Sequence, residues 1–427
     1  MKIGLIIIGD ELLIGSTQDC NMLYLGKKLA LLGMKLDSCH VIADEKAVIQ
    51  QVFKNAMEEY DITFCSGGLG PTIDDRTKNA LATFINSELE DNPKARLLAQ
   101  KHYDRRGLEW FPELNNYHMI PKGVEPYLNP KGLAPGLYFK NFSGRELLCA
   151  PGVPREFQGM IDHYFSESPL GTKYSSRRSL TIRTAGIPEE QIFNKKSPTL
   201  WKALSQFGQV SSYPRFTGID IVINDISVRE NELIEKLESL PELLPVKNHI
   251  WHFGNGPIEE IVIKFANSHG LTISTAESCT GGLIAHQLTE ISGSSEVFHG
   301  SVVSYANSIK ETTLGVKKES LNQFGAVSEQ VAMEMAKGAR AQMKTTYAVS
   351  TSGIAGPLGG SEEKPVGTVA IAIDGPNGVS SKMYQIPAIF DRDEMKKRFA
   401  TRALISLYKL MKNDFLDKGH SPQTEDV

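Results

Sequence analysis

A strand that must be covered on both sides opens this chain. Ile3 to Ile8 is an unbroken apolar run, closed by Gly9, Asp10 and Glu11. With no polar alternation it has no face to offer solvent, which suits a parallel sheet packed between helices. The pattern continues with a helix over 21–32, whose apolar positions include Leu23, Leu25, Leu29 and Leu32, a strand over 61–65 and a helix over 75–84. Short buried strands alternating with amphipathic helices read as α/β.

A polar stretch around 166–179, with Ser-Glu-Ser-Pro and Tyr-Ser-Ser-Arg-Arg, interrupts the alternation. Beyond it come a strand over 180–184, a helix over 188–204, strands over 209–216 and 219–223, and a helix over 229–240, a small α+β unit ended by Pro241 and Pro245. The strand–helix alternation then returns: helix 258–268, strand 271–274, helix 281–290, a long helix over 328–343, and strands over 347–350 and 368–373. At about 150 residues per domain, 427 residues make room for roughly three. The expected boundaries are 1–170, 171–248 and 249–415, with a polar tail at 416–427.

Charge narrows the partners. The 46 Lys+Arg against 50 Asp+Glu leave a net charge of −4, which offers no basic excess for a polyanion, so no nucleic acid is expected. The apolar run at the start is too short for a secretion signal or a membrane span, so a cytoplasmic address without membrane contact is expected. The five cysteines, Cys20, Cys39, Cys65, Cys149 and Cys279, are odd in number and include no C-x-x-C pair, against a disulfide framework or zinc site. His118, His163, His249, His252 and His269 do not fall at metal-ligand spacing.

Two turns carry chemistry. The first, Cys65-Ser66-Gly67-Gly68-Leu69-Gly70-Pro71-Thr72-Ile73-Asp74-Asp75-Arg76-Thr77, lies where a strand ends and a helix begins, the edge at which parallel sheets bind ligands. Its glycines let backbone N–H groups approach an anion, and the helix start favours negative charge, so phosphate is the expected guest. Asp74 and Asp75 beside a phosphate call for a divalent cation, Mg2+ or a transition metal, between them. Asp10 and Glu11 would add oxygen ligands or a general base. The same residues also admit a helix cap and a plain turn, and neither the P-loop nor the dinucleotide pattern is present.

The second turn, around Thr275-Ala276-Glu277-Ser278-Cys279-Thr280-Gly281-Gly282, bunches three nucleophile candidates at a helix start. A serine needs a base, and no Ser-His-Asp arrangement is signalled. A lysine lowered by burial is the other solution, and Lys310 follows the polar cluster that begins at Ser301. Alone, Ser278 would read more readily as an N-cap and Lys310 as a solvated lysine. Cys279 is the rival nucleophile, its thiol easier to ionise at a helix start.

At this point the residues resemble a known family. Gly9-Asp10-Glu11-Leu12, Asn21, the Gly67–Thr72 turn with Asp74, Asp75 and Thr77, Asn129-Pro130, Gly132, Ala134-Pro135-Gly136 and Pro151-Gly152-Val153-Pro154 look like the molybdopterin-binding-type domain that opens CinA family members. The Thr275–Gly282 turn, Gly293-Ser294-Ser295, Tyr305-Ala306-Asn307, Gly325-Ala326-Val327-Ser328, Ser352-Gly353-Ile354-Ala355-Gly356-Pro357 and Lys364-Pro365-Val366-Gly367-Thr368 resemble the CinA C-terminal domain. The resemblance implies two three-layer α/β domains with mainly parallel sheets, joined by a small KH-like α+β domain that acts as spacer or dimer former. That connector has eleven basic and nine acidic residues over 171–248 and no basic G-x-x-G loop for RNA.

For the C-terminal domain the resemblance implies a nicotinamide mononucleotide deamidase without a cofactor, in pyridine nucleotide salvage. Ser278 would be nucleophile, Lys310 base and Tyr305 the residue orienting that lysine. Substrate contacts would come from Glu277, Thr280, Gly281, Ser295, Asn307, Ser352, Gly353 and Arg392, with oxyanion donors after Ser278 or around Ser352-Gly353. For the N-terminal domain it implies nucleotide binding through Asp10, Glu11, Asn21, Ser66, Gly67, Gly68, Gly70 and Thr72, with Asp74 and Asp75 on a divalent metal. A metal-dependent ADP-ribose pyrophosphatase there is the alternative activity, and a nucleotide-binding competence-related protein without catalysis is the third reading. A homodimer acting on small nucleotides is expected. The chain departs from the family at Leu114-Asn115-Asn116-Tyr117-His118, where Asn-x-Lys-Gln-Ala is usual, so a cationic phosphate contact is missing there; it departs also at Leu358 and Phe390.

Overall fold

The structure, a computed structural model, describes residues 1–72, 75–170 and 178–416. The chain divides into two compact units, Met1–Arg177 and Arg178–Val427. No helix among the described residues is long and apolar enough to cross a membrane. All five cysteines are free.

In the first unit, strands β1 (Ile3–Ile8), β2 (Ser38–Ile42) and β3 (Ile62–Ser66) are followed by the short pair β4 (Leu89–Asp91) and β5 (Met119–Pro121), then by β6 (Glu125–Tyr127), β7 (Gly136–Lys140) and β8 (Glu146–Ala150). The main sheet has the order β2-β1-β3-β8-β7-β6. β2, β1, β3 and β8 pair in parallel, while β7 and β6 add an antiparallel edge. β1 is buried along its whole length, as its apolar run requires. Ile6 and Ile8 pack with Phe53 and Leu81 from the helices Lys46–Glu59 and Thr77–Phe84. Ile3, Leu5 and Ile7 pack on the opposite face with Leu25, Leu29 and Phe157, from the helices Asn21–Leu31 and Pro154–Glu167. Each such side chain contributes about 1.5–3 kcal/mol by leaving water, so the layering rests on both faces being apolar.

The second unit holds two sheets. Strands β9 (Leu180–Thr184), β10 (Gln209–Pro214), β11 (Ile219–Asn224) and β12 (Ile250–Phe253) form an antiparallel sheet in the order β10-β11-β9-β12. Its core takes Leu200, Leu233, Leu237 and Leu243 from the helical segments. β12 lies beyond the boundary read at 248, because its partner is β9. The helix read over 188–204 is broken: a π-helical stretch Gln191–Lys196 and a helix Leu200–Ser205 flank Ser197. Pro198 forces the residue before it out of the helical region, and the Ser197 hydroxyl donates to Glu242 O.

The other sheet is built from β13 (Ile273–Glu277), β14 (Phe298–Val303), β15 (Tyr347–Gly353), β16 (Thr368–Gly375) and β17 (Gly378–Gln385), in the order β14-β13-β15-β16-β17. β14, β13 and β15 are parallel; β16 and β17 are antiparallel additions. One face packs on the helices Ile258–Ser268, Leu283–Thr289 and Arg392–Leu416, the other on Asn307–Leu314 and Glu329–Met343. The 25-residue helix Arg392–Leu416 also meets the antiparallel sheet: Lys409 Nζ donates to Asn248 O at 3.2 Å, and Tyr408 packs edge-on against Trp251. β13 begins and ends about three residues later than the strand read over 271–274. The helix read over 281–290 starts at Leu283, since Gly281 and Gly282 have φ of 63° and 94°, the left-handed region that glycine supplies.

Candidate active site

Ser278 is the first residue past β13, at the carboxyl edge of three parallel strands. Its N–H donates to Thr351 O of β15 at 2.9 Å, which ties it to the neighbouring strand. On the other side β14 runs out at Val303, and Ser304 N donates back to Glu277 O at 2.8 Å. The helix Asn307–Leu314 then returns Lys310 to the serine, with Nζ 3.0 Å from Ser278 Oγ, 2.7 Å from Ser304 O and 3.4 Å from Tyr305 O. Lys310 is 1% exposed, and among the described residues no carboxylate pairs with it. Burial lowers its pKa from the usual lysine value, with the Cys279 thiol opposing. A neutral amine has two N–H groups and one lone pair. In that form the two N–H groups would go to the two carbonyls and the lone pair would turn to the Ser278 hydroxyl.

Glu277, read as a substrate contact, is fully buried and faces backbone. Its carboxylate accepts from Gly282 N at 2.9 Å, Ile284 N at 3.1 Å and Ala285 N at 2.8 Å, capping the helix that follows the serine. Thr280, likewise read as a contact, is buried with Oγ1 2.7 Å from Thr351 Oγ1. Within the turn Gly281 N donates to Ser278 O and Leu283 N to Thr280 O. Of the amide donors after Ser278 that were expected to hold an oxyanion, those from Gly281 to Ala285 hold the turn together instead. Cys279 itself packs in the core, and burial pushes its thiol up to about 12, the reverse of the easy ionisation expected at a helix start.

Tyr305 meets Lys310 through its carbonyl; its ring is 63% exposed, and its hydroxyl accepts from Arg392 Nη2 at 2.9 Å. Arg392 also donates to Gly356 O, so it joins the Ser352–Pro357 turn to Tyr305. One turn along the same helix, Lys396 Nζ comes within 3.7 Å of where a side chain on Gly281 would begin. Lys396 escaped the sequence reading, although its spacing of four from Arg392 puts the two on one helix face. Asn307 is exposed at the start of its helix. Ser352 is 1% exposed and gives its hydroxyl to Ala326 O, while Gly353 is engaged in the β15–β16 pairing. Ser295 is not brought to the site. It lies in the turn Ser294–Glu296 that leads into β14, and because β14 and β13 are parallel, that is the opposite edge of the sheet from Ser278.

The N-terminal turn is also held from within. Asp75 accepts from Gly70 N at 2.7 Å, from Thr72 N at 2.8 Å and from Thr72 Oγ1. The carboxylate read as a metal ligand therefore occupies the amides expected to cradle phosphate. Asp74 lies outside the described residues, and among those described no group of three or more His, Cys, Asp or Glu could hold a metal ion. Gly67 has φ of 114°, and a Cβ there would collide with Ile8 O, so this position needs glycine.

The nucleotide residues expected together fall on two cavities. Glu11, Asn21 and Ser66 line one of about 70 Å3, where Asn21 Nδ2 donates to Ser66 Oγ at 2.8 Å and to Gly152 O at 3.0 Å while Asn21 Oδ1 is buried without a partner. Asp10 is exposed at the start of the short helix Asp10–Leu13, accepting from Asp44 N at 3.2 Å. Gly68, Gly70, Thr72 and Asp75 line the other cavity, of about 360 Å3, together with Lys78, Asn115 and Asn116. Lys78, missed in the sequence, donates to Asn116 O at 2.8 Å, and burial lowers its pKa to about 8, with Asp75 opposing. The ammonium thus reaches the very segment in which a cation was found wanting. Its place in the first turn of the helix after the glycines was the available signal.

An α/β chain with a glycine-turn unit ahead of a buried serine–lysine pair defines a recognisable class. Residues 4–169 match the model described as a probable molybdopterin binding domain, and 255–411 match that of the CinA C-terminal domain. The chain is 35% identical over 409 residues to a CinA-like protein of Salinibacter ruber, covering 95% of this chain and 98% of that one. It is 35% identical over 412 residues to a putative competence-damage inducible protein of Clostridium kluyveri, at 95% and 98% coverage. A solved competence/damage inducible protein from Agrobacterium tumefaciens is 46% identical with a TM-score of 0.35, covering 36% of this chain and 96% of that one. The chain belongs to the CinA family.

Proposed function

We propose that the C-terminal part of this chain is a nicotinamide mononucleotide amidohydrolase working through Ser278 and Lys310. The observation that carries the reading is the 3.0 Å approach of a buried, carboxylate-free lysine amine to the serine hydroxyl. Neutral Lys310 takes the Ser278 proton as Oγ attacks the carboxamide carbon. The tetrahedral adduct collapses with cleavage of the C–N bond, and Lys310 returns the proton to the departing nitrogen, so ammonia leaves and an acyl-serine remains. Water then attacks the ester, giving its proton through Lys310 to Ser278 as nicotinate mononucleotide departs. Arg392 and Lys396, on one helix face beside the turn, are the cations for the ligand phosphate. The decisive assay offers nicotinamide mononucleotide with and without chelator. Ammonia released equally in both is expected, and no ammonia above a protein-free blank would overturn the reading.

Lys78 favours a second reading, in which the N-terminal unit binds a nucleotide phosphate in the 360 Å3 cavity. ADP-ribose hydrolysis there would appear as AMP, lost on chelation, in the same assay. For binding alone the sign follows from the amine. The ammonium attracts the phosphate, and with a pKa of about 8 it is charged below that pH and neutral above. ADP-ribose affinity by calorimetry is therefore expected to fall as pH rises from 7 to 9. Lys78→Gln should weaken binding about tenfold, or roughly 1.4 kcal/mol, and flatten the pH dependence. A wild-type affinity independent of pH would remove Lys78 from the site.

A further inference from the structure

A cavity of about 450 Å3 in the second unit is remote from Ser278 along the helix Arg392–Leu416 and is used by neither reading above. Its wall joins two elements. Leu237, Leu243, Leu244 and the β12 residues Ile250–Phe253 come from the antiparallel-sheet part, and Lys409, Lys412 and Asn413 from the end of the long helix. The apolar side is broad: Leu237 and Leu243 are buried beneath it, Leu244 is 57% exposed at its rim, and Trp251 stands in its wall.

The charged side is mainly cationic. Lys247, Lys409 and Lys412 line the space, and among the described residues none has an ion-pair partner; Lys409 Nζ donates only to a neutral carbonyl, Asn248 O. Glu238, exposed on its helix, is the one lining carboxylate. His252 gives no compensating negative charge. Its Nδ1 is 3.1 Å from the Tyr408 hydroxyl, and burial, with Arg183 and Lys412 nearby, lowers its pKa to about 4. Arg183 lies over the Trp251 ring, but at 3.8 Å from the Asp220 carboxylate it has its own counter-charge. Lys409 is held down by burial and by the cations Arg402 and Lys382. Three lysines without an ion-pair partner among the described residues, beside an apolar, aromatic wall, suit an anionic ligand with an apolar part.

We propose that this cavity is a binding site for a nucleoside phosphate, the phosphates on Lys247, Lys409 and Lys412 and the base along the Leu243–Trp251 wall. The volume is in the range that encloses a small ligand, and lysine heads are point-charge partners for phosphate oxygens. The base gives the wall a reason to be apolar, and the phosphates give the lysines their counter-charge.

The test titrates ATP into the full-length protein by calorimetry, with inorganic pyrophosphate as the second probe. Lys409→Gln combined with Lys412→Gln is expected to weaken ATP binding at least tenfold. Leu244→Asp, a rim change that leaves the buried core alone, should do the same by placing a carboxylate beside the phosphates. Lys78→Gln and Ser278→Ala should leave this event unchanged, which separates it from both sites already described. Pyrophosphate should bind at least tenfold more weakly than ATP, because it leaves the apolar wall unused. ATP binding indifferent to both cavity variants, or no binding at all, would overturn the proposal; pyrophosphate binding as tightly as ATP would overturn its nucleoside part.

Discussion

Lys310→Met is expected to slow amide hydrolysis by about 10^2–10^4-fold, and Ser278→Ala by at least as much, with nicotinamide mononucleotide binding retained in both. The methionine fills the buried lysine volume without an amine, so the loss reads proton transfer rather than packing. The pH profile gives an independent sign. Only the neutral amine accepts the serine proton, and burial lowers the Lys310 pKa. The wild-type kcat/KM should therefore rise with pH along a limb lying below the usual lysine range, then level off. A profile flat from pH 6 to 10, or activity surviving in Lys310→Met, would sink the role of this amine. Cys279→Ala should keep activity within a few-fold, because a thiol pushed up to about 12 in the core is protonated at neutral pH. Should the cysteine variant alone be dead, the nucleophile has been misassigned.

Glu277→Ala should cost the C-terminal part of the chain about 3–5 kcal/mol. The substitution removes one fully buried carboxylate and strands three backbone donors, those of Gly282, Ile284 and Ala285, at a partly buried helix start. Such a loss corresponds to a fall in Tm on the order of 10 °C for a domain of this size. Thermal denaturation followed by circular dichroism would read it. Glu277→Gln keeps one carbonyl acceptor and sets its NH2 against the donors, so it should fall between wild type and alanine. A Tm within about 2 °C of wild type for the alanine variant would show the helix start to be satisfied by other means.

The serine–lysine pair was read through the family resemblance, and the strand pairing gives the physical reason for it. Ser278 directly follows one strand and Lys310 lies one turn into the helix after the next, and parallel neighbours carry both to the same edge. Ser295, equally prominent in the sequence, precedes β14 instead of following it, and only the strand pairing reveals that this sends it to the far edge. Glu277 and Asp75 misled in a common way. A carboxylate next to a glycine turn suggests a ligand contact, yet each spends its oxygens on the amides of its own turn. That choice depends on side-chain direction, which spacing does not encode. β1 was visible in full because burial on both faces leaves a signature in composition alone. β12 went unread, since four residues of strand next to a proline-broken stretch leave little signal and say nothing about their partner.

The helix Arg392–Leu416 bears on how the chain can be cut. Its early turns meet Tyr305 and the Ser352–Pro357 turn, and its late turns wall the antiparallel sheet. A fragment trimmed to 255–411 would keep Ser278, Lys310 and Arg392 yet bare Tyr408 where Trp251 covers it, strip the Phe216 carbonyl from Arg398 and sever Asp414 from the Tyr347 hydroxyl. Such a fragment would trade an internal seam for an adhesive surface, and its tendency to self-associate would report on the missing neighbour more than on any native assembly.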